Sequence, residues 1–385
     1  MSGPAEEIMF VLHDLPLGGT ERIALRLATR WLDAGRRVRL LCGLAEGPMR
    51  PMLDPRIELV TLDPPLPRGF GSRFRLGAAA AREVRRRPPS VLFVPGNFHW
   101  VVAGAVGRLP AAMRPPIVAR LTSPVHRPGR GRLPQLWFER RMRRQLRRVD
   151  ALATLSESYR RDADRVLGRA ASLTLKLPAL DAAVPPPLPV PEGVPLILAA
   201  GRLVPQKGFD DAIAAFRRLS HPAAKLVILG DGPDRAALEA RVAALGLGDR
   251  VSMPGTVPDI RPWLDRARLF LLSSRFEGFP AVLVESLAAG RPVVATRCTP
   301  ATAELLDGTA RGLSVPIGDA AAMAGAMDAL LGAPPPDPAA LAASVADHRI
   351  ERIAEQYLAL FDRLVAARRT TAGSGDGSPA SEAGR

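Results

Sequence analysis

Gly201-Arg202-Leu203-Val204-Pro205-Gln206-Lys207-Gly208 stands directly after the apolar run 196–200 and opens the amphipathic stretch 208–219. A short β-rich run that breaks into a glycine-flanked loop and re-emerges as a helix is the repeating unit of parallel α/β sheets. The alternation continues outward from it. Strand-like runs follow at 225–229, 251–253, 269–272 and 293–296, with helical spacing at 236–245 and 281–289. Upstream, strand-like runs at 8–12, 38–42, 57–62, 91–94, 117–121, 151–155 and 173–177 enclose helical stretches at 20–34, 74–87 and 157–167. Between the two series lies 184–195, with prolines at 185, 186, 187, 189, 191 and 195, which reads as a semi-rigid linker. The expected organisation is a doubly wound domain over 1–184, a linker over 185–195 and a second such domain over 196–348. A helix over 349–369, with Ile353, Tyr357, Leu360, Phe361 and Leu364 on one face, has the length to cross back over either domain. The Gly/Ser/Ala/Pro tail 370–385 is expected to be disordered. Ligands of open parallel sheets bind beyond the carboxyl ends of the strands, so two such domains facing each other make a cleft.

Composition narrows the class of function. The chain has 385 residues, 47% apolar and 24% charged, enough to bury a core in each of two domains. Its net charge is +15, and the excess is lopsided: residues 1–190 hold 32 Lys+Arg against 16 Asp+Glu, whereas 191–385 hold 21 against 22. Only Lys176, Lys207 and Lys225 are lysines, a bias that fits a coding preference for arginine. Such a preference acts on both halves alike, so the asymmetry stands and favours a phosphate-rich partner for the first half. Two cysteines, Cys42 and Cys298, fall in different domains, which excludes a disulfide framework and a cysteine zinc site. Glu6 and Glu7 beside a short apolar run argue against a signal peptide, and no run of eighteen apolar residues exists. A cytoplasmic chain with at most peripheral membrane contact is therefore expected.

Two stretches carry chemistry. In 201–208 the glycines let backbone approach an anion, the following helix N-terminus offers free N–H groups, and Arg202 and Lys207 add two charges, a metal-free way to hold a diphosphate. An ordinary surface loop with two solvated charges is the competing reading. In 276–290, Pro280 stands where a helix should begin and Gly290 where it should end. Glu277 then lies before the helix and Glu285 in its early turns. The N–H groups of Ala281, Val282 and Leu283 face an anion there, and each carboxylate is able to grip a pair of sugar hydroxyls. For Glu285 alone, one solvated acid on a core helix is the better account.

Together the two stretches resemble glycosyltransferase family 4, retaining group 1 transferases of the GT-B fold, in which two Rossmann-like doubly wound domains face each other across a cleft. Glu277 and Glu285 match that family's E-x7-E signature, and 201–208 its G-R-L-x-x-x-K-G loop. Gly230-Asp231-Gly232-Pro233, Arg250 to Gly255, Ala303 to Leu306 leading to Val315 to Asp319, and Gly18-Gly19-Thr20-Glu21-Arg22 also match, in family order. The resemblance implies that Arg202 and Lys207 bind the donor's diphosphate and stabilise it as leaving group. Glu285 then holds ribose hydroxyls, and Glu277 the transferred sugar, beside Gly278, Phe279 and Pro280. Met253 lines the base pocket, mainly through backbone, and Gly18 and Gly19 approach the donor phosphates. It further implies retention of anomeric configuration by front-face attack, no metal and no other cofactor. UDP-sugars are favoured over GDP-sugars, and a lipid-linked or polysaccharide acceptor is implied.

In the first half the correspondence thins. A catalytic-site histidine is expected after the fourth strand or so, where His99 is the candidate and Asn97 competes. His126 is a second candidate, on the acceptor side. A local hydrogen bond explains His13 as well as any role does. Residues 127–148 hold nine arginines and one acid, with Phe138, Met142, Leu146 and Val149 at helical spacing after Leu136 and Trp137. This reads as a basic amphipathic helix of the kind that lies on anionic membranes, its apolar stripe packed inward. A nucleotide-sugar epimerase or a soluble glucan or sugar-phosphate transferase is the rival within enzymes. Nucleic-acid binding is disfavoured by the lack of aromatics among the basic residues. A dinucleotide-dependent dehydrogenase is disfavoured because Gly230-Asp231-Gly232 lacks the third glycine.

Overall fold

The computed structural model describes residues 4–16, 18–126, 130–181, 183–307 and 309–373, the side chains of 371–373 excepted. The chain divides into two compact units, one of 1–125, 130–175 and 350–385, the other of 126–129 and 176–349. In chain order the first unit comprises β1 (Glu7–Leu12), α1 (Gly19–Asp33), β2 (Arg37–Cys42), β3 (Glu58–Thr61), α2 (Ser72–Arg86), β4 (Val91–Val94), α3 (Trp100–Val106), β5 (Ile117–Leu121), α4 (Arg132–Leu146), β6 (Ala151–Thr154), α5 (Glu157–Leu167) and β7 (Ser172–Thr174). The second holds β8 (Leu196–Ala200), α6 (Phe209–Arg217), β9 (Lys225–Leu229), α7 (Arg235–Ala244), β10 (Val251–Gly255), α8 (Arg261–Arg266), β11 (Leu269–Leu272), α9 (Ala281–Ala288), β12 (Val293–Thr296), α10 (Pro300–Leu306), β13 (Gly312–Val315), α11 (Ala320–Gly332) and α12 (Pro338–Ala343). Then α13 (Ile350–Gly373) returns to the first unit.

Both sheets are entirely parallel. Their strand orders are β3-β2-β1-β4-β5-β6-β7 and β10-β9-β8-β11-β12-β13, so each reverses direction beside its first strand, between β1 and β4 and between β8 and β11. Ligand crevices of doubly wound sheets open at such reversals, beyond the carboxyl ends of the strands. The central strands are mostly apolar because helices cover both faces: β1, β4, β5, β11 and β12 are buried at every residue, Glu7, Arg120 and Thr296 being their polar members.

The crossing helix settles on the first unit. Tyr357 and Phe361 of α13 join Trp31 of α1 and Phe93 of β4 in an edge-to-face aromatic cluster, with centroids 5.2 Å apart for Trp31 and Phe361 and 5.3 Å for Phe93 and Tyr357. All four rings are buried, each contributing about 1.5–3 kcal/mol by leaving water. The helix runs to Gly373, and the rest of the tail expected to be disordered lies outside the described residues.

The proline-rich stretch differs from a free spacer. Arg261 donates to the carbonyls of Pro185 (2.8 Å) and Pro186 (2.5 Å), and Arg291 to that of Pro189 (3.1 Å), all within the second unit. The units part at Leu175/Lys176 and Arg349/Ile350, not at 184/185. Prolines have no N–H but keep their carbonyls, and here those carbonyls tie the segment down.

Candidate functional site

In the second unit, the loops after β8 and β11 interlock at the carboxyl edge of the sheet. Ser273 donates from Oγ to Lys207 O (2.9 Å), Arg275 donates its backbone N–H to Gln206 O (2.8 Å), and Gln206 Nε2 reaches Phe276 O (2.8 Å). Gly208, at φ +63°, is required there, since a Cβ would collide with Ser273 O. Arg275 locks the pair: it donates to Pro205 O (2.7 Å) and to the carboxylates of Asp210 (2.7 Å) and Asp211 (2.9 Å) in the first turn of α6.

This lock brings Lys207 and Glu277 together, with Nζ 2.6 Å from Oε1. Ser274 Oγ donates to the same oxygen at 2.7 Å. Both side chains are largely buried, at 24% and 12% exposed, so the attraction acts with little water between. Arg202 stands apart, its side chain exposed and with no hydrogen bond or ion pair among the described residues. One cation is thus positioned by a carboxylate and the other is held in solvent.

Pro280 caps α9 in an extended conformation. The N–H groups of Ala281 and Val282 lie in the first turn, where no intrahelical acceptor exists. The Leu283 N–H bonds Pro280 O (3.1 Å) and its side chain is fully buried, so the expected three-donor cradle has two members here. Phe279 packs against His348, centroids 5.7 Å apart, and Gly278 O accepts from Thr299 Oγ1 (3.4 Å). Glu285 is half-buried one turn into α9, on the face of Ala281. The Met253 carbonyl accepts both NH1 (3.1 Å) and NH2 (3.2 Å) of Arg235, which also pairs with Asp231.

In the first unit, Gly18 caps α1 with its carbonyl accepting the Arg22 N–H (3.0 Å), and a Cβ on it would strike the Glu21 carboxylate. Gly19 faces open space. Asn97 is occupied: its Oδ1 accepts the Thr122 N–H (2.8 Å) and Oγ1 (3.2 Å), and its Nδ2 donates to Ser123 Oγ (2.8 Å). It therefore clamps the loops after β4 and β5 to each other. His99 is buried and accepts the His13 backbone N–H on Nε2 (3.2 Å), while its Nδ1 is buried without a partner. Accepting on Nε2 places the proton of the neutral ring on Nδ1. Burial pushes its pKa down to about 3, with Arg68 and His13 adding to the effect, so the ring stays neutral through the mildly acidic range and above. His13 is shifted down chiefly by burial too, and neither of its ring nitrogens has a partner. His126 is exposed at the end of the loop after β5, with 127–129 outside the described residues.

Sequence reading missed Ser274 and Arg275, which position Glu277 and the diphosphate-type loop. The run Ser273-Ser274-Arg275 offered only generic loop polarity. It also missed Gly96, whose absent side chain lets Thr20 and Thr122 approach; a Cβ there would lie 2.7 Å from Thr20 Cγ2. Among the described residues no group of three or more His, Cys, Asp or Glu is placed to hold a metal ion.

Comparison with known proteins completes the description. Residues 183–344 match the family model of the group 1 glycosyl transferases, and 17–174 that of glycosyltransferase family 4. A lipopolysaccharide core biosynthesis glycosyltransferase of Rhizobium meliloti, LpsE, is 38% identical over 144 residues, 37% of this chain and 42% of that protein. The match thus spans less than half the length of that relative. Among solved structures, the lipopolysaccharide outer core galactosyltransferase WaaB superposes with a TM-score of 0.71 at 16% identity, covering 93% of this chain and 99% of that one. Anabaena HepE, in complex with UDP and glucose, gives 0.66 at 18% identity, covering 95% and 100%.

Proposed function

The chain belongs to glycosyltransferase family 4 and has the GT-B fold, and from that premise we propose that it is a retaining transferase moving a hexose or N-acetylhexosamine from a UDP-sugar to a lipid-linked or polysaccharide acceptor. The observation that carries the reading is the half-buried Lys207–Glu277 pair at the carboxyl edge of the second sheet. In this proposal Lys207 and Arg202 meet the charge that develops on the departing diphosphate, with the two free N–H groups of α9 beside them. No metal is assigned to that task. Glu277, fixed by Ser274, accepts from the hydroxyls of the transferred sugar, and Glu285 from those of the ribose. Gly18 and Gly19 admit phosphate to the backbone of the first unit, and the neutral His99 is a donor through Nδ1. The acceptor attacks from the face that the diphosphate leaves, and a phosphate oxygen takes its proton. UDP is preferred because a protein of the same fold, HepE, has been solved with it.

The acceptor side of the proposal rests on α4. Met142 and Leu146 are fully buried, as the stripe requires, whereas Leu133, Leu136 and Trp137 are exposed at 80%, 42% and 64%, beside exposed Arg132, Arg140 and Arg144. Exposed apolar residues among arginines suit the headgroup region of an anionic membrane. We place the protein peripherally at the inner face of the cytoplasmic membrane, and no described helix is long and apolar enough to cross one. The test is incubation with a radiolabelled UDP-hexose and anionic vesicles carrying a polyprenyl-diphosphate acceptor. Label should move into the lipid phase as UDP is released, and Leu133→Ser/Trp137→Ser should cut that transfer about tenfold while leaving UDP binding intact. Donor that is epimerised without acceptor, or transfer indifferent to both α4 substitutions, would overturn the corresponding half of the reading.

A further inference from the structure

The loops that lead into β5, β6 and β7 gather at the amino edge of the first sheet, the edge opposite Gly18, Asn97 and His99. Five-residue β5 alone separates the two edges by about 16 Å. Among these loops lies an open cavity of roughly 820 Å³ lined by Arg108, Arg114, Arg147, Arg148 and Arg169, with Asp150 as its one carboxylate. Asp150 is committed, its Oδ2 accepting the Ile117 N–H at 2.8 Å.

The guanidinium groups here bond only to carbonyl oxygens. Arg148 donates to Gly107 O (2.9 Å), and Arg169 to Leu146 O (3.0 Å) and Val149 O (2.7 Å). Arg114 leaves its Nε buried and unpartnered. Arg108 and Arg147 are exposed, with no side-chain hydrogen bond among the described residues. None of the five forms an ion pair among those residues. Elsewhere in this unit arginines are answered by acids: Arg39 by Glu7 (2.5 Å) and Glu83 (2.6 Å), Arg68 by Asp14 (2.6 Å), and Arg87 by Glu58 (2.5 Å) and Glu7 (2.9 Å). A bias towards arginine explains how many there are, but not why these five converge on one hollow whose single acid, Asp150, pairs with none of them.

The charge balance decides what fits. The carboxyl ends of α3 and α4 point into the cavity region and supply about half a negative charge each. With Asp150 they offset about two positive charges, so the five lining arginines leave about three, and Arg368 of α13, which donates to Ala111 O (2.7 Å) at the rim, adds another. Guanidinium forks pair with phosphate oxygens in bidentate fashion, so a single phosphate leaves charge over and a diphosphate matches it. We propose that this cavity is a second anion site that binds a diphosphate group, separate from the donor loop of the other unit. The diphosphate is carried by a soluble molecule or by a lipid headgroup, and the same oxygens serve in both cases.

The experiment is calorimetric titration of inorganic pyrophosphate, without divalent cations, into the full chain carrying Arg202→Ala and Lys207→Ala, so that the donor loop contributes nothing. Pyrophosphate should still bind, and adding Arg108→Gln/Arg147→Gln should weaken it at least tenfold. Those two side chains hold no contact the fold needs. Arg85→Gln/Arg161→Gln removes the same charge from exposed sites on the same unit and should change affinity less than twofold. Neutral vesicles carrying a polyprenyl diphosphate that compete with pyrophosphate identify the lipid as the source, and a lack of competition identifies a soluble one. Absence of binding, or equal weakening by both double substitutions, overturns the site. Neither result bears on whether UDP binds the unmodified protein.

Discussion

Glu277→Ala is expected to lower kcat/KM for sugar transfer by a factor of about 10² or more, with the fold retained. The Glu277 carboxylate accepts from Lys207 Nζ at 2.6 Å and Ser274 Oγ at 2.7 Å, so its removal strips a sugar contact and frees the ammonium that it aims. Losing one aimed electrostatic group in a partly dehydrated site costs about two to three orders of magnitude in rate. Glu277→Gln keeps the shape and one acceptor oxygen but not the charge, and should recover only part of the loss. The check is initial-rate kinetics of both variants beside their circular dichroism and melting curves. Undiminished kcat/KM in Glu277→Ala would remove the carboxylate from the mechanism.

Gly230→Ala is expected to be the most destabilising single methyl group in the second unit's site. Gly230 sits at φ +125° in the turn after β9, and a Cβ there would occupy the space of Gly201 O. The backbone has nowhere to retreat, because the Gly230 N–H bonds Gly255 O at 2.8 Å and the Gly201 N–H bonds Leu229 O at 2.9 Å. Strain at such a φ together with a backbone collision should cost about 3 kcal/mol or more. Gly246→Ala is the control: its φ is +65°, nothing lies within 4 Å of the new Cβ, and about 1 kcal/mol is expected. Urea denaturation of both variants measures the contrast. Equal shifts would mean that the close approach of the β8 and β9 turns does not matter.

Much of the architecture is legible because parallel strands buried on both faces are written as continuous apolar runs. The runs at 91–94, 117–121, 196–200, 225–229, 269–272 and 293–296 coincide with strands to the residue. The misses have physical causes. β13 is Gly-Leu-Ser-Val, too short and mixed to stand out, and its Gly312 packs directly on Val293. The helix α3, Trp-Val-Val-Ala-Gly-Ala-Val, is apolar on nearly every side and so has no 3.6-residue period to read. The proline-rich stretch shows its stiffness in composition, but its attachment depends on Arg261 and Arg291, which follow it by some seventy to a hundred residues.

The site divides in the same way. Lys207 and Glu277 are visible as a loop cation and a loop acid, yet their pairing is created by Arg275 and Ser274, which look like any polar loop. Met253 lies within β10, and the guanidinium of Arg235, which follows β9, binds its carbonyl. His99 and Asn97 both follow β4 as expected, but their contacts come from other loops and are not written in their position in sequence. Asn97 is spent on clamping two loops, and His99 on the backbone of His13. The charge asymmetry of the first half resolves into parts: arginines paired with buried acids, arginines around exposed apolar residues on α4, and the five that share the cavity at the amino edge of the sheet.

The account turns on the second unit holding a nucleoside diphosphate through Arg202 and Lys207. Titration calorimetry of UDP into the full chain, beside the Arg202→Ala/Lys207→Ala variant, tests it directly. Two charge-assisted contacts are worth about 1.5–3 kcal/mol each, so the variant should bind at least about 100-fold more weakly, with its circular dichroism spectrum unchanged. Equal affinity in the two proteins, or no binding of any nucleoside diphosphate by the unmodified chain, would contradict it.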